Sequence, residues 1–256
     1  ADGSYEEYKT VIFDPSIHEL SDNATQFTFV GDSGDNSFTT NEVTSEVYAG
    51  GGNDVITSMG DNKSWLVGAQ GDDILHGNSG QNELYGDTVS GLGTGDDTLF
   101  GYAGDDELFG GGGDDHLYGG EGDDFLEGGE GDDLLYGGPG TDTVHGGSGD
   151  DRILHNFNSV NADGGEGNDT FVVDVDGEFN DFLLSQGLTQ QSFDLEMDFM
   201  NGWHRAVHRD TGDYLNSGDD TITNIENFEL QGAFDVKVIG DELNNRIVIK
   251  YPYSKN

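Results

Sequence analysis

Between residues 101 and 154 an aliphatic side chain returns at every ninth position: Leu108, Leu117, Leu126, Leu135, Val144 and Ile153. Each sits in the middle of a tripeptide, and glycine and aspartate fill most of the space between tripeptides. A residue at such an interval lies on the same face of successive short strands. Each tripeptide is therefore read as a strand whose central side chain points inward. The glycine-rich stretch before it is read as a turn, because glycine permits positive φ and close approach of neighbouring backbone. Strand plus turn makes half a coil, so two nonapeptides complete one turn of a flattened roll.

The period has a fixed internal order. Six tandem units start at residues 101, 110, 119, 128, 137 and 146, from GYAGDDELF to GGSGDDRIL. Their fourth position is always glycine, from Gly104 to Gly149, and their sixth is always aspartate, from Asp106 to Asp151. The frame continues on both sides. GGEGNDTFV starts at Gly164 after one degenerate unit, and GAQGDDILH and GNSGQNELY start at Gly68 and Gly77. The unit from Gly86 carries six extra residues, and the unit from Ser58 is degenerate and one residue too long. AGGGNDVIT and GDSGDNSFT carry the frame back to residue 31, for fifteen units between 31 and 172.

This pattern resembles the RTX (repeats-in-toxin) family, whose signature is a GGxGxDxUx nonapeptide with U aliphatic. A disordered Gly/Asp tract would not need to keep an aliphatic residue in register. The resemblance implies an all-β protein, a right-handed parallel β-roll loaded with calcium and closed by β caps at both ends. The expected division is a cap of strands over 1–30, the roll over 31–172 and a divergent cap with decayed units over 173–256.

Charge demands an explanation of how such a chain compacts. Asp and Glu number 52 and Lys and Arg only 9, for a formal net charge of −43. That excludes a nucleic-acid surface and argues against docking on anionic lipid. Cysteine is absent, which removes disulfides, thiolate metal sites and cysteine catalysis together. No apolar run approaches the ~18 residues of a membrane span. Carboxylates on stacked loops ~5 Å apart repel by roughly 3 kcal/mol per pair at an effective dielectric of 20. A cation must offset this.

Same-side loops lie eighteen residues apart in the regular frame. Two stacked loops can offer the six to eight hard oxygens that Ca²⁺ takes at ~2.3–2.6 Å. Mg²⁺ demands a tighter octahedron, and Zn²⁺ lacks recurring His or Cys. The expected ligands are Asp54, Asp73, Asp97, Asp106, Asp115, Asp124, Asp133, Asp142, Asp151 and Asp169, with carbonyls from the loop glycines Gly101, Gly110, Gly119, Gly128, Gly137, Gly146 and Gly164. Parity sharpens this expectation. Counted from residue 31, odd units carry Asn36, Asp54, Asp73, Asp97, Asp115, Asp133, Asp151 and Asp169 at the sixth position. Even units carry Ser45, a scrambled unit near Lys63, then Asn82, Asp106, Asp124, Asp142 and Val160. Odd and even units fall on opposite edges, so one edge is expected to be a nearly continuous calcium ladder. The other is expected to be filled only in its middle.

Other motifs weigh less. His204 and His208 stand four apart and would share a metal on a helix, but no third ligand accompanies them. His76 and His145 close their units and read as outward-facing. Gly31-Asp32-Ser33-Gly34 resembles a serine-protease string, yet it falls in frame as the first loop. Paired carboxylates such as Asp105 and Asp106 recur in unit after unit, so they mark no single reaction centre. SFDLEMDF alternates as a strand, NDFLLSQGL is open between helix and strand, and residues 217–249 resemble decayed units.

The family resemblance implies a non-catalytic calcium-binding module of a larger bacterial toxin or exoprotein. Such a chain leaves through a type I channel, folds on calcium outside and is expected as a monomer, secreted or at the cell surface. The first residues lack a signal peptide's pattern and the last lack a complete type I signal, so the chain reads as a section of a longer one. The alternative is a ligand- or glycan-binding section of an adhesin or polysaccharide-modifying enzyme. In it, basic residues such as Arg205 on 173–256 would meet a glycan or protein ligand.

Overall fold

A computed structural model describes residues 27–40, 45–88, 93–155, 159–174 and 221–224. It also describes the strands at 9–12, 193–198, 203–208, 227–231, 235–239 and 246–250. Among these residues every regular element is a strand. The segment NDFLLSQGL lies outside the described residues.

Two ten-stranded sheets face each other, and the chain alternates between them. The first runs Lys9–Ile12, Phe27–Val30, Ser45–Gly51, Ser64–Gln70, Asn82–Asp87, Glu107–Gly112, Phe125–Glu130, Thr141–Ser148, Ser159–Glu166 and Thr221–Thr223. The second runs Ser37–Thr39, Val55–Thr57, Ile74–His76, Thr98–Ala103, His116–Glu121, Leu134–Tyr136, Arg152–His155, Thr170–Asp174, Asn227–Gln231 and Arg246–Lys250. All neighbours in both sheets are parallel, which makes a β-solenoid in the form of a parallel β-roll.

The nonapeptide sets the register. Leu108 pairs with Leu126 and Leu117 with Leu135, eighteen residues apart. The interval widens to nineteen between Val47 and Leu66, where the Ser58 unit holds its extra residue. It widens to twenty-four between Leu84 and Leu108, across the six-residue insertion. Both changes of interval fall between strands and leave the pairing within them in register, because a shift within a strand would turn its inward residue outward.

The eighth-position residues form one narrow core. Val47, Ile56, Leu66, Leu75, Leu84, Leu99, Leu108, Leu117, Leu126, Leu135, Val144, Ile153 and Phe171 are fully buried and belong to one cluster. Most of their strand neighbours face outward, and some stack from coil to coil. Tyr85 and Phe109 lie 4.8 Å apart and nearly parallel, and Phe100 stacks at 5.0 Å on both His76 and Tyr118. His76 and His145 thus lie on outer faces, as their place in the unit predicts.

Beyond residue 174 the roll resumes. Thr221–Thr223 joins the first sheet, and Asn227–Gln231 and Arg246–Lys250 extend the second. Phe193–Asp198 pairs antiparallel with Trp203–His208 and parallel with Asp235–Ile239 in a separate three-stranded sheet. The strand Trp203–His208 also bears on His204 and His208, for which the sequence offers no third ligand. They lie on a strand, where four residues span about 13 Å, and the shared metal of a helical pair is lost.

Candidate metal centre

The turns that join the sheets stack into two edges. Along one edge each sixth-position aspartate reaches back to the loop before it. Its Oδ1 accepts the N–H of the sixth residue there. Asp54 accepts from Asn36 at 2.6 Å, Asp73 from Asp54, Asp97 from Asp73 and Asp115 from Asp97 at 2.7 Å each. Asp133, Asp151 and Asp169 continue the row at 2.8–2.9 Å. On the opposite edge Asp106 accepts from Asn82, Asp124 from Asp106 and Asp142 from Asp124, at 2.6, 2.8 and 3.1 Å. Odd and even units are thus on separate edges, and the ten predicted aspartates divide seven to three between them.

Every one of these aspartates is buried, none more than 3% exposed. Only one oxygen of each is accounted for by the row. The Oδ2 atoms of Asp54, Asp73, Asp97, Asp106, Asp115, Asp124, Asp133 and Asp151 are buried with no hydrogen-bond donor. An orphaned buried anionic oxygen is among the costliest groups a fold can hold.

The first-position glycines show what surrounds those oxygens. A Cβ built on Gly110 would press on Asp115 Oδ2 and stand 2.6 Å from the carbonyl oxygen of Gly128. Gly119 relates in the same way to Asp124 and the Gly137 carbonyl, and Gly128 to Asp133 and the Gly146 carbonyl. Gly101, Gly146 and Gly164 repeat the arrangement with Asp106, Asp151 and Asp169, and Gly137 backs onto Asp142 Oδ2. Glycine is required here because the carboxylate and the next loop's carbonyl occupy the space of a side chain. The second- and fourth-position glycines have the same reason in another place. Gly129 and Gly131 sit at φ +125° and +131°, and a Cβ on either would strike the carbonyl oxygen of Gly111 or Gly113.

The donors are carboxylate and carbonyl oxygens, the hard set that suits Ca²⁺. No three acidic, histidine or cysteine side chains gather around one point among the described residues. Main-chain carbonyls must therefore complete any ion's shell, and the stacked loops supply them.

Burial dominates the protonation of these groups. It pushes the Asp97 carboxyl up to about 9 and Asp133 to about 8. Asp73, Asp106, Asp115 and Asp142 rise to about 7, and Asp54, Asp124 and Asp151 to about 6. The accepted backbone N–H pulls each value down, and neighbouring carboxylates add to the rise.

Fifth-position residues form a second row that the sequence reasoning missed. Asp72, Asp96, Asp114 and Asp132 are exposed and reach forward, accepting the N–H of the next loop's fifth residue at 3.2, 2.9, 2.9 and 2.7 Å. Asp105 and Asp123 do the same on the other edge. The two rows run in opposite directions and satisfy turn N–H groups that no strand can reach. The recurring Asp-Asp pair was the available signal, since adjacent residues of a turn face opposite ways.

Where the second edge lacks aspartate, neutral side chains close it. Asn78 Nδ2 donates to Ser58 Oγ at 2.8 Å, Ser64 Oγ at 3.1 Å and the Asn62 carbonyl at 2.9 Å. Thr40 Oγ1 donates to Ser58 Oγ at 3.3 Å. Lys63, in the scrambled unit, is exposed and pairs with Glu83.

Comparison with protein families agrees with this geometry. The family described as RTX calcium-binding nonapeptide repeat (4 copies) matches three segments, residues 60–89, 92–126 and 118–153. No curated protein matches the chain.

Proposed function

From the premise that residues 60–89 and 92–153 are RTX repeats that bind multiple calcium ions, we propose that this is a non-catalytic module that folds on calcium. It belongs to a larger bacterial exoprotein exported through a type I channel. The observation that carries the reading is the row of buried, donor-less Oδ2 atoms from Asp54 to Asp151. In this reading Asp54, Asp73, Asp97, Asp106, Asp115, Asp124, Asp133, Asp142, Asp151 and Asp169 hold the ions. The carbonyls of Gly101, Gly110, Gly119, Gly128, Gly137, Gly146 and Gly164 complete the shells.

Bound calcium supplies the positive charge that a buried carboxylate otherwise lacks. The chain does the rest. Its glycines let loops approach to carbonyl contact, and its single file of aliphatics keeps water from the back of each site. With so thin a core, the chain at neutral pH gains its compactness from the ions. Inside a cell calcium is scarce, and the extended chain stays threadable. Outside, mass action over linked sites folds it. Residues 1–30 and 173–256 serve as its ends, a partner role for the latter being the alternative. The net charge of −43 keeps it off nucleic acid.

Calcium titration of the metal-free protein at neutral pH, read by far-ultraviolet circular dichroism, tests this. A cooperative change from coil to β with calcium, and none with magnesium, is expected. The same β spectrum in chelator would overturn the coupling of folding to calcium.

A further inference from the structure

Asp87 lies outside the nonapeptide pattern. It opens the six residues, 87–92, that separate Gly86 from Gly93. Without them the chain would read Gly86, Gly93, Thr94, Gly95, Asp96, Asp97, Thr98, Leu99, Phe100, a regular unit. The fold respects that reading. A Cβ on Gly93 would run into the carbonyl of Ala69, the second residue of the preceding loop, just as one on Gly129 would run into that of Gly111. The extra residues therefore fall in sequence between the first and second positions, and residues 93–97 keep the frame.

The Asp87 side chain turns back into the frame. The residue is 1% exposed. Its Oδ2 accepts the Gly112 N–H at 2.8 Å, and its Oδ1 is buried with no donor. Elsewhere on this edge a Cβ on a second-position glycine meets a carbonyl of the loop before. Gly129 meets Gly111, Gly147 meets Gly129 and Gly165 meets Gly147. At Gly111 it meets the Asp87 carboxylate instead, with Oδ2 at 2.5 Å and Cγ at 2.9 Å. A carboxyl group thus stands where regular loops place a carbonyl. The neighbouring Asp97 and Asp115 each present a donor-less Oδ2 of their own. A cavity of about 380 Å³ lies beside Asp87, which lines it with Tyr85, Thr88, Phe109 and Glu127 among others.

We propose that Asp87 is an additional calcium ligand, supplied by the insertion, which makes the seam between residues 93–97 and 110–115 the tightest site on its edge. This rests on the calcium-binding reading above. Affinity for Ca²⁺ rises with the number of anionic ligands and with the rigidity of the site, and Asp87 adds to the first. Were it only an acceptor for Gly112, one neutral oxygen would suffice and Oδ1 would need no burial.

The test is a calcium titration of the metal-free protein in competition with a chromophoric chelator, which resolves the tightest class of sites. Asp87→Asn keeps an acceptor for Gly112 and removes the charge. Deletion of residues 87–92 restores a regular unit and is the second variant without Asp87. Both should weaken the tightest class about tenfold. Asp114→Asn, which removes an exposed charge from the next loop, should leave it within about twofold. A tightest class unchanged in the deletion variant, or weakened as much in Asp114→Asn, overturns the role of Asp87. Absence of calcium binding in the parent protein would instead overturn the functional reading itself.

Discussion

The two edges of the roll are built from the same turn and held differently. One carries a sixth-position carboxylate in every loop from Asp54 to Asp169. The other carries one only at Asp106, Asp124 and Asp142. Where carboxylates are missing, amide hydrogens take the place of a cation. Asn82 Nδ2 donates to Asp106 Oδ1 at 3.0 Å and to the Gly80 carbonyl at 2.5 Å. Asn78 gathers Ser58, Ser64 and the Asn62 carbonyl around a second amide. Backbone geometry is indifferent to the choice, since strands and core run unchanged past both. In the proposed reading, the charge at one position per loop decides whether an edge requires an ion.

The strongest challenge to this contrast is to remove the ions altogether. Burial raises the edge carboxyls, so the rolled chain holds protons that the unfolded one releases near the ordinary value of about 3.9. Stability from this source is complete below that pH. It is lost as pH climbs through about 6 for Asp54, Asp124 and Asp151, about 8 for Asp133 and about 9 for Asp97. Metal-free protein should be compact and β-rich near pH 4, uncoil on the way to pH 8 and recover there with calcium. Circular dichroism and size-exclusion chromatography check this, and metal-free protein equally folded at both pH values would refute it.

Next in size is Asp115→Asn on the continuous edge. It leaves the hydrogen bond from Asp97 N–H possible and removes the charge. The calcium midpoint for folding should rise about tenfold, read by titration against intrinsic fluorescence. A midpoint shift no larger than that of the exposed Asp114→Asn would mean that the buried row is merely structural.

Asn82→Asp should extend the charged stretch of the other edge by one loop. Asn82 Oδ1 is already buried without a donor, so an oxygen stands where the new carboxylate would place one. One more calcium per chain is expected by equilibrium dialysis. Unchanged stoichiometry would show that the amide closure excludes ions for a reason other than charge. The smallest effect falls on the neutral network. Ser58→Ala removes an acceptor and should cost about 1 kcal/mol of stability in saturating calcium. Denaturant unfolding measures that cost, and the calcium stoichiometry should stay as it was.

Much of this was legible in the one-dimensional pattern. A nine-residue interval between Leu108 and Leu117 implies a strand and a turn, and parity then sends Asp106 and Asp115 to opposite edges without any knowledge of coordinates. Such inference works because each coil touches only its neighbours. It fails where contacts skip the period. Asp87 returns to the seam from an insertion, and Asn78 meets Ser58 and Ser64 across a scrambled unit. The strand holding His204 and His208 pairs with one that begins at Phe193, and the roll resumes at Thr221 after a long excursion.

The sequence alone therefore determined the repeating coil, its inward residues and the edge to which each aspartate belongs, because all three follow from local period and the alternation of strand faces. Only the tertiary structure decided which oxygens are buried without a donor, which amides replace an ion and where an out-of-frame carboxylate comes to rest. Those depend on distances between loops eighteen or more residues apart, and no local pattern encodes how closely two backbones stack.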